Sequence, residues 1–282
     1  GPATHANPKT MEHMPNPKVV LIAGSGHGGT TILNMVLGQH RDIFATGKLR
    51  DFPHGGLFVQ DNVCSCGEAA TACPFWEQVR TRYAPYQERP ESESIPQLFR
   101  IVSELSGSPV VGDVTHNVGY ARQLQRIPGI TLYLVHVVRD GRGVVYSRTR
   151  KDHRIGRLGV SRWQHLRRVI TVSRRWAWHV KQFAALERQL GARSVRVSYE
   201  QLCSDPESAL APVSACLGLD FADIGQHLGS GLPFAPIAHL IRGNAVLRTK
   251  KNVVLRHDTT YLDEMPRADR IIFGIASKLP VF

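Results

Sequence analysis

The chain has 282 residues, 42% of them hydrophobic, and a formal charge of +12. That length and apolar fraction suffice for one sizeable core, so a single α/β domain is expected and a two-domain arrangement is disfavoured. No apolar run approaches the ~18 residues that span a bilayer, and the N-terminus lacks the apolar stretch of a signal peptide, which together point to a cytoplasmic protein without a membrane span.

The positive excess favours polyanionic partners: nucleic acid, an acidic membrane surface, or a nucleotide with several negative charges. Arginines cluster from Arg139 and Arg142 through Arg148, Arg150, Arg154, Arg157 and Arg162 to Arg175. No helix-turn-helix, zinc-finger or RNP-type aromatic motif accompanies them, so no nucleic-acid partner is assigned. A solvated basic face with attraction for an anionic cofactor is the favoured reading.

Residues 1–16 are polar and proline-rich, and the leading Gly-Pro has the look of a protease-cleavage scar, so a tag-like N-terminus is expected and the folded domain is taken as 17–282. The run Lys18–Ala23 reads as a buried strand. It enters Gly24-Ser25-Gly26-His27-Gly28-Gly29-Thr30-Thr31, and a helical pattern follows over Thr30–Gly38. Strand, tight glycine loop and helix N-terminus form an anion site, because loop amides point inward and the helix dipole favours negative charge. The spacing from Gly24 to Thr31 nearly matches the P-loop pattern, but Thr30 stands where a nucleoside triphosphatase places its Lys. Two hydroxyls and the loop amides suit a nucleotide with a single 5′-phosphate group.

Further strands are expected at Asp42–Thr46, Val110–Val114, Thr131–Val138 and Ser194–Val197. Helices are expected at Pro96–Ser106, Asn117–Arg126 and Ser161–Leu190, after Asp205-Pro206, and from Pro266 to Lys278. This alternation argues for a central, mainly parallel sheet flanked by helices. On the long basic helix Trp163, Leu166, Val169, Ile170, Val172, Trp176, Val180 and Phe183 follow helical spacing and read as core rather than as a base-stacking platform. The segments Asp51–Cys73 and Leu232–Asp258 have loop chemistry and are the natural walls of a substrate pocket, where Phe52, Phe58, Phe75 and Trp76 would give it partly apolar lining.

Arg139 follows the Thr131–Val138 strand at its C-terminal end, where open α/β sheets bind ligands. Ser147 falls about two turns along a helix expected to start near Gly143. A charged planar fork and a hydroxyl can clamp a second phosphate.

Cys64, Cys66 and Cys73 crowd one segment. They could coordinate zinc with a nearby His, or form a local disulfide. Zinc needs a fourth ligand, and C-x-C is not a usual structural-zinc spacing, so no metal is assigned. Cys203 and Cys216 read as core residues.

Together these motifs resemble the sulfotransferases that use 3′-phosphoadenosine 5′-phosphosulfate (PAPS), including bacterial members. The family's loop reads roughly Arg/Lys-Ser-Gly-Thr-Thr, and its counterpart is His27-Gly28-Gly29-Thr30-Thr31. The resemblance implies that this loop, with Gly26, takes the 5′-phosphosulfate and that Arg139 and Ser147, at the family's spacing, hold the 3′-phosphate. Val197-Ser198-Tyr199-Glu200-Gln201-Leu202 is similar to the family's Tyr-Glu-Asp-Leu segment, which implies adenine contact for Tyr199. Gly243-Asn244 with Arg248 resembles a C-terminal loop that helps cover the 3′-phosphate. Gly47-Lys48-Leu49-Arg50 looks like Gly-Glu-Leu-Arg, Asp113-Val114-Thr115-His116 stands where many members have Asp-Ser-Ser-Lys, and the cysteine segment is similar to an insert in bacterial members.

The implied reaction moves a sulfuryl group from PAPS to a hydroxyl of a small-molecule acceptor, leaving 3′,5′-diphosphoadenosine (PAP), with no metal required. His27 stands where the family has its loop cation, and its ordinary pKa of ~6.5 would make activity pH-sensitive; Arg50 or Lys48 could supply that charge instead. Lys48 stands where several branches place the Glu that takes the acceptor proton, and a protonated Lys cannot serve as that base. His116 is the first replacement, ahead of Asp113, Asp51 and His54. The competing readings are a P-loop kinase or NTPase, disfavoured by Thr30 and Arg139, and a non-catalytic nucleotide binder, favoured by Lys48.

Overall fold

The computed structural model of the chain describes residues 16–56, 62–155, 161–236, 238–244, 247 and 250–279, with the backbone alone over 151–155. Phe58, Arg157 and Arg248 lie outside the described residues, as do the side chain of Arg154 and the N-terminal segment up to residue 15.

Five strands form one sheet: β1 (Lys18–Ala23), β2 (Ile43–Gly47), β3 (Val110–Thr115), β4 (Thr131–Val138) and β5 (Ser194–Ser198). Their order is β2-β3-β1-β4-β5, and every pairing is parallel. β1 is central, and its near-continuous apolar sequence has a physical cause, since a parallel strand covered on both faces has no polar side. Its residues alternate between two cores. Val19, Leu21 and Ala23 join Phe99, Leu124 and Phe183 on one face; Val20 and Ile22 join Leu33, Val36 and Leu210 on the other. Helices α1 (Thr30–Leu37) and α8 (Pro206–Leu217) cover the second face. Helices α3 (Glu91–Ser106), α4 (Val118–Arg126) and α6 (Arg162–Leu190) cover the first.

All five expected strands are present within a residue at each end. The helices differ more. α3 begins at Glu91, five residues before the expected start at Pro96, which lies inside the helix. Glu91 and Glu93 in the first turn favour the helix dipole there, and the helix tolerates the proline beyond its first turn. Helix α2 (Pro74–Tyr83), α7 (Tyr199–Ser204) and α9 (Ala222–Gly229) were not expected. α5 (Gly141–Ile155) starts two residues earlier than Gly143. Trp163, expected in the core, is 74% exposed on the first turn of α6, which opens with a Ser161–Gln164 capping box. Cys203 and Cys216 are half-buried rather than core.

The connection after β1 runs to one side of the sheet and the connection after β4 to the other. Their C-terminal ends therefore flank the switch point at which open parallel sheets bind ligands.

Candidate active site

The loop between β1 and α1 turns on two special backbone positions. His27 has φ 68° and Gly29 φ 97°, the left-handed region. Gly29 has a second constraint: a Cβ there would lie 2.5 Å from a ring carbon of Tyr199. Gly28 closes the turn by donating its N–H to Ser25 O at 3.0 Å. Thr30 and Thr31 are the first residues of α1, so the loop presents helix-start amides with no intrahelical partner, the donors an oxyanion requires.

The second motif meets this loop. Arg139 is buried just after β4, and its Nη1 donates to His27 O at 3.2 Å. Its Nη2 donates to Asp258 Oδ2 at 3.2 Å and to Asp258 O at 3.3 Å. The guanidinium lies over the Tyr199 ring, 4.7 Å from its centroid. Its Nε is buried without a hydrogen-bond partner among the described residues. Ser147, on α5, is hydrogen-bonded through Oγ to His27 Nδ1 at 2.9 Å. Residues more than a hundred positions apart thus converge on one loop. Tyr199 lies in the same wall, and burial pushes its phenol up to about 12.

A third set follows β2 and β3. His116 Nε2 lies 3.0 Å from Thr30 Oγ1, and His116 Nδ1 lies 3.5 Å from Lys48 Nζ. An ammonium only donates, so with Lys48 protonated Nδ1 accepts from it and Nε2–H donates to Thr30. That leaves the Thr30 hydroxyl hydrogen directed elsewhere. Burial, followed by the Lys48 charge, pushes the His116 ring down to about 3. Burial and the neighbouring Arg242 lower the Lys48 amine. The ring is therefore neutral at pH 7, with its lone pair directed at Lys48.

The other candidate bases are placed differently. Asp113 is fully buried in β3, where it accepts from Leu49 N and Val114 N at 2.8 Å each and from the Tyr120 hydroxyl at 2.9 Å. It anchors the Gly47–Leu49 turn that carries Lys48 and faces away from the cavity. Asp51 accepts from Arg242 at 3.4 Å, and exposed His54 lies 3.7 Å from Glu91. Neither lines the cavity, although the Asp51 charge acts on Lys48.

One cavity of about 730 Å³ is lined by Gly26, His27, Gly29, Thr30, Thr31, Lys48, His116, Arg139, Ser147 and Tyr199. Gly243 and Asn244 close one side, and the Asn244 amide donates to Thr31 Oγ1 at 3.4 Å. Its size is that of a site for a nucleotide-sized ligand. Lining residues not expected at the site include Arg148 and Arg150, which follow Ser147 on α5, and Asp258, whose only signal was its place in the expected Leu232–Asp258 wall. The apolar lining includes Leu247, Val253, Val254 and Leu255, and among the described residues none of the expected aromatics joins it. Phe52 and Trp76 are buried in the core beneath the cysteine segment, and Phe75 packs on Phe44. The cysteine segment also departs from expectation, since His239 lies beside its three thiols and supplies the fourth donor the sequence lacked.

A model of the sulfotransferase family matches residues 17–223. Among solved structures the chain is similar to the sulfotransferase domain from the curacin biosynthetic pathway, at 16% identity over 95% of this chain and 100% of that one, with a TM-score of 0.56. It is also similar to the sulfotransferase domain of the Synechococcus PCC 7002 olefin synthase, at 16% identity, over 95% and 90% of the two chains, with a TM-score of 0.49. A sulfotransferase from Mycobacterium avium is similar at 13% identity over 78% and 68%, with a TM-score of 0.44. At such identities the likeness to the curacin domain speaks to the fold alone. A search of curated proteins gives no match. The family model spans well over half of the residues, and by that match the chain belongs to the sulfotransferase family.

Proposed function

We propose that the protein transfers a sulfuryl group from PAPS to a hydroxyl of a small-molecule acceptor, releasing PAP and a sulfate ester. The observation that carries this reading is the convergence of the 26–31 loop, Arg139 and Ser147 on one cavity of nucleotide size, two anion-binding devices lining a single space.

In this reading the loop amides and the hydroxyls of Thr30 and Thr31 hold the 5′-phosphosulfate, and Arg139 with Ser147 holds the 3′-phosphate. Tyr199 offers its ring to the adenine. Lys48 and His27 stabilise charge on the transferring group and the departing phosphate oxygen. His116 takes the acceptor proton at Nδ1, the lone pair that Lys48 releases when its ammonium turns to the sulfuryl group. The proton affinity of the His116 ring is held down first by burial and then by the cations Lys48 and Arg148. A polyanionic nucleotide beside those cations offsets their effect and raises the ring's affinity when the proton must move. Transfer needs no added magnesium, unlike phosphoryl transfer by a P-loop kinase. A bacterial, cytoplasmic setting accompanies the reading, and the free thiols suit it.

The test is incubation with PAPS and a panel of hydroxyl acceptors without magnesium, following PAP release and product mass. Acceptor-dependent PAP release with a product heavier by one sulfuryl group supports the reading. Tight PAP binding with no turnover on any acceptor class would replace it with a nucleotide-binding role.

A further inference from the structure

Away from the nucleotide cavity, four soft donors meet. The ligand atoms of Cys64, Cys66, Cys73 and His239 all lie within 4.8 Å of one another. Cys66 Sγ and Cys73 Sγ are 3.7 Å apart, Cys73 Sγ and Cys64 Sγ 3.7 Å, Cys64 Sγ and His239 Nδ1 3.6 Å, and Cys73 Sγ and His239 Nδ1 3.3 Å. A tetrahedral zinc with Zn–S of ~2.3 Å and Zn–N of ~2.0–2.1 Å requires edges of ~3.8 Å between sulfurs and ~3.6 Å between sulfur and nitrogen. The cluster has that size. A disulfide requires sulfurs at ~2.05 Å, and the three thiols are all free.

The surroundings are arranged around these four atoms. Cys73 is the N-cap of α2, so its sulfur sits at the positive end of that helix, a favourable place for a metal-bound thiolate. The His239 ring stacks on Phe75, with centroids 5.1 Å apart and planes within 6°. Its carbonyl accepts from Trp76 Nε1 at 2.9 Å, which fixes the backbone that presents it. Ser65 ties the two segments together, its amide donating to Leu240 O at 3.0 Å and its hydroxyl accepting from Leu240 N at 2.9 Å.

We propose that Cys64, Cys66, Cys73 and His239 form a closed structural zinc site that clamps the cysteine segment to the chain running into the cavity wall. Three sulfurs and one imidazole nitrogen are a zinc donor set, and four protein ligands leave no open position for chemistry. Binding displaces the three thiol protons to solvent. The clamp has a direct line to the nucleotide cavity. Two residues after His239, Ile241 donates its amide to Thr46 O at 2.8 Å at the end of β2, and Gly243 and Asn244 then line the cavity. The site is independent of the sulfuryl-transfer chemistry proposed above.

The experiment is elemental analysis of untagged protein purified in reductant, together with cobalt(II) loading of metal-stripped protein. One zinc per chain is expected, with intense visible bands and a near-ultraviolet thiolate-to-cobalt charge-transfer band for the cobalt form. Cys66→Ser, at the exposed ligand, and His239→Gln each lose the metal and the charge-transfer intensity or shift its bands, and Cys203→Ser does neither. Cys66 is the variant least exposed to folding failure, so a soluble protein is available for comparison. Reduced wild-type protein that takes up neither zinc nor cobalt overturns the proposal. An intact mass two hydrogens light, with a peptide joining two of the three cysteines, overturns it in favour of a disulfide.

Discussion

Asp258 holds the cation that the 3′-phosphate is proposed to use, so replacing it with Asn should tighten nucleotide binding. The pair is close, with Nη2 to Oδ2 at 3.2 Å, and unequally buried, the Arg139 side chain 7% and the Asp258 side chain 35% exposed. Partly exposed pairs of this kind are worth up to ~1 kcal/mol, and binding must give that up before the guanidinium can turn to a phosphate. At ~1.4 kcal/mol per tenfold, removing the competitor gives about fivefold tighter binding. The carboxylate also repels the phosphates themselves, which adds in the same direction and weakens as salt rises. Asn is the right replacement because it preserves an oxygen that can accept from Thr260 N, 3.3 Å from Asp258 Oδ1 in the native chain. Calorimetric titration with PAP at two salt concentrations measures the effect. Unchanged or weaker binding by Asp258→Asn would show that the pair does not compete with ligand and would refute the exchange of partners at Arg139.

His116→Ala should cut turnover ~100-fold or more while leaving PAP affinity within a few-fold, as for a lost general base; an unchanged rate removes it from the mechanism. Lys48→Gln removes a cation that depresses His116, so the His116 resonance should titrate at higher pH by NMR, and turnover should fall. Gly29→Ala forces a left-handed alanine against the Tyr199 ring, and should abolish PAP binding and lower the melting temperature; native binding would contradict the loop geometry. His116 and His179 have folded pKa values of about 3 and about 4, below the ordinary 6.5, burial being the first cause in each. The unfolded chain therefore takes up their protons first as pH falls. Their contribution to stability is full above pH 6.5 and is lost as pH falls towards 4 and then 3. Urea midpoints for wild type should drop from pH 7 to pH 5, and His179→Gln should flatten that drop.

The sheet was legible in the sequence because β1 and β4, parallel strands covered on both faces, are nearly continuous apolar runs, whereas β3 carries Gly112-Asp113 and the edge strand β5 reads Ser-Val-Arg-Val-Ser, so these were placed by their flanking turns and helices. The two motifs proposed to bind phosphate were legible because glycine at 29 and arginine at 139 answer to backbone geometry and to position at a strand end. Helix α2 carries little apolar content to mark it, only Trp76, Val79 and Tyr83 being buried, and α3 concealed its start behind an interior proline. The role of Asp113 was not legible, since a buried carboxylate anchoring a turn and one facing substrate have the same local sequence. His239 lies 166 positions from Cys73, so its meeting with the cysteines is a fact of the fold and not of spacing. Asp258 escaped for the same reason.

The most direct test of the sulfotransferase reading is titration of the protein with PAP, beside Arg139→Ala and beside ATP with magnesium. The account predicts micromolar or tighter PAP binding, weakened at least ~10-fold by Arg139→Ala through loss of charged hydrogen bonds, and much weaker binding of ATP. A preference for ATP with magnesium, or PAP binding indifferent to Arg139, would contradict it.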